Sequence, residues 1–276
     1  MSLEFGSHIP FFRARDGFRI GILSLILGIS AAAQDGKVDL NAEGEMTLPA
    51  SAMPPGYVPF FQDEFSGRTV ENLDMASQLV YHRFFNAPGL GTKAPAFALV
   101  DNSTRETVLL KDLHREKPVV LFFGSLGCDV MADGVEQLLE VYREYREEVN
   151  FVMVYIREAH SVNGFGPERA SVEDPETNLE RSAAARQCRE TIGIPFRILL
   201  DTMDDRAATR WAAWPLRLYA VDTDGTVIYT GKPGPWGFNP GGGFVAKGAD
   251  GLRAHSGYFS QESLEEFLSR LRGRKD

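Results

Sequence analysis

The sequence predicts an α/β fold built on a mixed central sheet, and three features carry that expectation. Val119-Val120-Leu121-Phe122-Phe123 and Phe151-Val152-Met153-Val154-Tyr155-Ile156 are continuous apolar runs of strand length. Between them, Val130 to Glu148 places Val135, Leu138, Leu139, Val141 and Tyr142 at helical spacing among charges. Near the C-terminus, Leu216 to Val221 and Thr226 to Tyr229 are joined by Asp222-Thr223-Asp224-Gly225, a hairpin turn signal.

Each element has its physical reason. Runs apolar at every position suit strands covered on both faces, and a helix between two of them implies a right-handed parallel crossover. The Val130 to Glu148 stretch is amphipathic, so it lies on the sheet. A second helix fits Asn178 to Thr191, a third strand Arg197-Ile198-Leu199-Leu200, and a closing helix Gln261 to Arg270. The order βαβ and then αββα is that of a thioredoxin-like sandwich. Trp214-Pro215 stands where that sandwich keeps a cis proline.

The remainder divides the 276 residues into three parts: 1–33, 34–92 and 93–276. Ile20 to Ala33 carries no charge, follows Arg13, Arg15 and Arg19, and closes on Ala31-Ala32-Ala33 before Gln34. A spanning helix needs about 20 apolar residues, so this stretch is better sized for a signal peptide with a small-residue cleavage site. An uncleaved anchor from Gly17 to Ala33, with Arg19 snorkelling, is the second reading, and a buried helix the third. The chain is therefore expected to be exported, periplasmic or extracellular, or to be anchored to a membrane. Residues 34–92 read as a linker and adaptor. Met46 to Pro59 holds four prolines and favours extended chain, Val70 to Phe85 has a helical pattern, and Asn86-Ala87-Pro88-Gly89 breaks it.

Composition excludes several classes of function. Asp and Glu number 38 against 29 Lys and Arg with no long basic run, so a nucleic-acid partner is not expected. Two cysteines, Cys128 and Cys188, are too few for a disulfide framework, a four-cysteine zinc site or an iron-sulfur cluster. The five histidines lack close metal-ligand spacing, and Asp204-Asp205 reads as a turn or helix start, so neither a metal nor a bound cofactor is expected.

The chemistry should lie where the first core strand ends and its helix begins. Cys128 closes Gly124-Ser125-Leu126-Gly127-Cys128 directly before that helix. A helix N-terminus lowers a thiol's pKa, which favours a reactive thiol over an inert buried one. Ser125 and Met131 occupy the places three residues away, so this is no C-x-x-C dithiol. Tyr155-Ile156-Arg157-Glu158-Ala159-His160 ends the neighbouring strand, which brings Tyr155 or His160 toward Cys128. Glu158 either orients that histidine or pairs with Arg157 in solvent.

Taken together, several motifs resemble the iodothyronine deiodinase family. They are Phe123-Gly124-Ser125-x-x-Cys128, Tyr155-Ile156-x-Glu158-Ala159-His160, Asp201-Thr202-Met203, Trp214-Pro215-x-Arg217-Leu218-Tyr219 and Gly234-Pro235-Trp236-Gly237-Phe238-Asn239-Pro240. The similarity runs from about Pro95 to Arg270. It implies a thioredoxin-like fold, an N-terminal anchor and reductive dehalogenation of a phenolic ring. Cys128 matches the selenocysteine, Ser125, Tyr155 and His160 match the active-site hydrogen-bond network, and Glu158 matches the acidic residue of the E-A-H run.

The departures bear on substrate and resolution. Cysteine in place of selenocysteine implies slower dehalogenation. Leu126 stands where many members have another cysteine and Phe196 where a resolving cysteine can occur, which leaves Cys188 as the internal resolving candidate. Leu216 replaces the usual Glu, and Pro233 beside Lys232 replaces a basic residue. The expected activity is that of a thiol-dependent oxidoreductase acting on a small halogenated aromatic substrate. Its reductant would be an external thiol, thioredoxin or a small one; a homodimer is left open. The alternatives are a thiol peroxidase, although Leu121 sits where peroxiredoxins have proline, and a non-catalytic exported redoxin module. The glycine-rich stretch Gly241 to Gly257, with His255, reads as a surface loop, or else as a lid.

Overall fold

The structure, a computed structural model, describes residues 39–40, 46–47, 87–159, 161–162, 172–232, 237–242 and 262–274. The expected signal or anchor segment, the 70–85 helix, His160 and His255 lie outside the described residues. Two short strands, β1 (Asp39–Leu40) and β2 (Met46–Thr47), pair antiparallel. The remaining strands form one seven-stranded sheet: β3 (Ala98–Asp101), β4 (Thr107–Leu109), β5 (Val119–Gly124), β6 (Asn150–Tyr155), β7 (Arg197–Leu200), β8 (Arg217–Val221) and β9 (Val227–Thr230). Their order across the sheet is β4-β3-β7-β6-β5-β8-β9. The helices are α1 (Leu110–Leu113), α2 (Asp129–Tyr145), α3 (Asn178–Ile192), α4 (Arg206–Arg210) and α5 (Leu264–Arg272).

Strand β5 is the axis of this arrangement. It pairs parallel with β6, as the crossover requires, and antiparallel with β8, whose register runs from Val119 opposite Val221 to Phe123 opposite Arg217. All six residues of β5 are buried. Its side chains alternate between two apolar layers, with Val120 and Phe122 on the face that holds Met131, Leu138, Ala185 and Phe267. Val119, Leu121 and Phe123 lie on the other face, with Trp211 and Tyr219. Each such fully buried side chain contributes about 1.5 to 3 kcal/mol, so the continuous apolar run is what a strand between two helical layers demands. This is the thioredoxin-like sandwich, with α2, α3 and α5 contributing to one layer and α1 and α4 to the other.

Local sequence fixes the helix ends. Thr177 and Glu180 form a reciprocal capping box that starts α3, and Gly193 in the left-handed region (φ 77°) ends it. Ser263 and Glu266 do the same at the start of α5. Arg272 then ties α5 to Glu144 of α2 and to Glu148 in the turn after it, at 3.1 and 3.0 Å. The expected hairpin is present, with Gly225 at φ 82°, and the Trp214-Pro215 peptide is cis. Asp205 begins α4, in keeping with the expected helix start. Strands β3 and β4 and helix α1 are additions to the elements expected from sequence.

Candidate active site

Strand β5 ends in Gly124, where a side chain would crowd three neighbours. A Cβ on it would stand 3.0 Å from Met131 Sδ, 3.2 Å from Phe122 Cζ and 3.3 Å from Leu216 Cδ1. The bare backbone lets the first turn of α2 seat against the strand end. Residues 125–128 then turn, the Cys128 N–H donating to the Ser125 carbonyl at 3.2 Å. Cys128 occupies the N-cap position of α2 with extended backbone (φ −85°, ψ 105°). It is 2% exposed, and neither it nor Cys188 is in a disulfide. The 17-residue helix that follows directs the positive end of its dipole at this position.

The parallel register sets Gly124 opposite Tyr155, so the end of β6 lies beside the cysteine loop. Tyr155 donates a hydrogen bond to Glu158 Oε1. The same two side chains grip consecutive amides of the loop: Leu126 N–H donates to Tyr155 Oη at 3.2 Å, and Gly127 N–H to Glu158 Oε2 at 2.7 Å. The two residues before Cys128 are therefore held by one buried phenol-carboxyl pair.

Glu158 is 3% exposed. Burial pushes its carboxyl above the usual range, and the Tyr155 phenol, the Gly127 amide and the Ser125 hydroxyl each pull it part of the way back. Tyr155 is wholly buried, and burial together with the neighbouring Glu158 carboxyl drives its phenol well above the ordinary range, so it stays protonated and donates. Ser125 Oγ is buried without a hydrogen-bond partner, although it lies near enough to Glu158 to favour the ionised carboxyl.

Four of the six expected site residues thus converge: Cys128, Ser125, Tyr155 and Glu158. Glu158 does not pair with Arg157 in solvent. Its side chain turns inward, while Arg157 turns outward to Asp174 at 2.9 Å. Cys188 comes from α3, is wholly buried, and shares an apolar cluster with Cys128 and Tyr155. Burial, and after it the Glu158 carboxyl, push its thiol up to about 12. Phe196 is a core residue packed at a tilt against Tyr142 and Phe151, with ring centroids 5.2 and 6.0 Å away. Leu216 is buried against the same strand end.

Two further contributors lie outside the expected site residues. Trp214 Nε1 donates to the Glu158 carbonyl at 3.4 Å, and Asp174 accepts the Glu158 N–H at 3.1 Å. Among the described residues no cluster of His, Cys, Asp and Glu is suited to hold a metal ion, and no helix is long and apolar enough to cross a membrane.

Residues 60–242 match the family model for iodothyronine deiodinase, which begins upstream of the motif-bearing region and stops at the glycine-rich stretch. The type I iodothyronine deiodinase of Xenopus laevis is 29% identical over 187 residues, covering 66% of this chain and 73% of that one. The thyroxine 5-deiodinase of Rattus norvegicus is 29% identical over 217 residues; the chain spans 65% of its length, with 73% of this chain aligned. Among solved structures, the thioredoxin domain of a thiol-disulfide oxidoreductase from Bacteroides vulgatus aligns at 17% identity and a TM-score of 0.40. That alignment covers 54% of this chain and 91% of that one.

Proposed function

The chain belongs to the iodothyronine deiodinase family, and from that premise we propose that it reductively dehalogenates an iodinated phenolic compound with Cys128 as nucleophile. The observation that carries this reading is the loop before Cys128, fixed at two consecutive amides by the Tyr155–Glu158 pair. A nucleophile on a rigid turn at a helix N-terminus gains both charge stabilisation and orientation.

The Cys128 thiolate donates an electron pair to iodine and forms an S–I bond. The C–I bond breaks with its pair left on the ring carbon, which takes a proton, so ring and iodine leave as Ar–H and a sulfenyl iodide. His160 supplies that proton in a relay with Tyr155 and Ser125, the Tyr155 phenol being held by Glu158. An external thiol attacks Cys128 sulfur, releases iodide and leaves a mixed disulfide, which a second thiol reduces. No bound cofactor takes part. Cys188 is a poor internal resolving group, because a thiol held at about 12 offers almost no thiolate to attack with. Residues 1–33 serve export or anchoring.

The test is iodide release from iodinated phenols, an iodothyronine among them, with dithiothreitol as reductant and hydrogen peroxide run in parallel. Wild type should release iodide and Cys128→Ser should not. Peroxide consumption that depends on Cys128, without iodide release, would replace this reading by a thiol peroxidase.

A further inference from the structure

The turn after β6 sends neighbouring side chains opposite ways, and something must hold it in that state. Glu158 points into the core while Arg157 has a side chain 57% exposed. The Glu158 backbone N–H needs an acceptor, since a buried amide without one is costly. Asp174 supplies it: Oδ1 accepts the Glu158 N–H at 3.1 Å while Oδ2 accepts from Arg157 Nε at 2.9 Å. One carboxylate thus clamps two successive residues of the turn from a loop that precedes α3. Arg181, buried on α3, bonds the Thr202 carbonyl at 2.6 Å and Asp205 Oδ1 at 3.1 Å, and Asp205 in turn feels Arg181, Arg157 and Asp174.

We propose that Asp174 is a positioning residue for the Tyr155–Glu158 pair, holding Glu158 against the cysteine loop and adjusting its proton affinity through the Asp174–Arg157 ion pair. This rests on the role proposed above for that pair. Among the described residues, the groups facing Glu158 are Tyr155 from β6, Ser125 and the Gly127 amide from the β5–α2 loop, Cys188 from α3 and Asp174. Burial sets the main upward shift of Glu158, and Asp174 adds a smaller one of the same sign by like-charge repulsion. Removing the charge of Asp174 therefore lowers the Glu158 midpoint. Removing Arg157 takes away a cation that offsets Asp174, and raises it. A residue that merely held the loop together would not give shifts of opposite sign.

The experiment follows the Glu158 carboxyl by carbon-13 NMR titration, assigned with Glu158→Gln, in wild type, Asp174→Asn and Arg157→Gln, alongside kcat and KM for iodide release. Asp174→Asn keeps an acceptor for the Glu158 amide and is the folded control for Asp174→Ala. The midpoint should fall in Asp174→Asn and rise in Arg157→Gln. Asp174→Ala should lower kcat about tenfold or more with KM within about twofold, and Asp174→Asn should recover most of that loss. Midpoints that stay put or move the same way overturn the proposal, as does an Asp174→Ala enzyme with wild-type kcat. Wild type that releases no iodide refutes the dehalogenase reading instead, while the titration still decides the positioning of Glu158.

Discussion

Replacing Tyr155 with phenylalanine removes one oxygen and leaves the ring's packing in place, so its cost can be assigned to hydrogen bonds. That oxygen accepts from Leu126 N–H at 3.2 Å and donates to Glu158 Oε1. Leu126 is half-buried, so its orphaned amide costs about 1 kcal/mol, near the low end for an unsatisfied group. Glu158 is 3% exposed, and a buried carboxyl oxygen that loses its donor costs about 2 kcal/mol. The expected destabilisation is about 3 kcal/mol, which for a domain of this size lowers Tm by roughly 6 to 12 °C. Activity should suffer beyond stability, because the loop before Cys128 loses one of its two anchors: kcat should fall at least about tenfold at temperatures where the variant is fully folded. Urea unfolding and iodide release on the same preparation measure both. The double variant with Glu158→Gln should be non-additive, since the two side chains act as a unit. A Tm within about 2 °C of wild type together with unchanged kcat would refute the idea that this pair positions the nucleophile.

Other outcomes follow from the same geometry. Burial holds the Glu158 carboxyl above its ordinary value of 4.5, so the folded state binds that proton more tightly than the unfolded chain. The stabilisation is complete below the unfolded value and is lost as pH rises through the folded one. Wild type should therefore lose urea resistance relative to Glu158→Gln from about pH 4.5 upward, and parallel curves would contradict this. With its thiol at about 12, Cys188 should present fewer than about one thiolate in ten thousand at pH 7.5. It should resist iodoacetamide until the protein is unfolded, and Cys188→Ala should keep its turnover with dithiothreitol. If residues 1–33 are a signal peptide, the exported chain should begin at Gln34 by N-terminal sequencing. Recovery of the uncleaved chain in the membrane fraction would establish the anchor instead.

The central strands were legible because their physics is local. A run such as Val119 to Phe123 has no polar face, and only a strand between two layers accommodates it. Strand β3 shows the reverse. Val100 is exposed and Asp101 buried, because Asp101 accepts the Ser103 and Thr104 amides and pairs with Arg197 at 3.1 Å. Its burial pattern therefore contradicts its hydrophobicity, and no periodicity reveals it. The site divides in the same way. Cys128 and Tyr155 were found because each stands at the end of a readable strand. The inward turn of Glu158 depends on Asp174, a residue 16 positions further on whose importance comes from tertiary contact alone. Helix α4, five residues long, is too short to leave a pattern.

Strand β5 is the fifth of seven, bonded on both sides to strands that are themselves paired. Amide exchange in such a strand proceeds only when the whole domain opens, whereas the edge strands β4 and β9 are free to fray. Cys128 therefore sits a short turn beyond the last part of the molecule to breathe. Slow heating or mild denaturant should loosen the periphery well before it disarms Cys128, and loss of activity should coincide with the exchange of the Val120 to Phe123 amides.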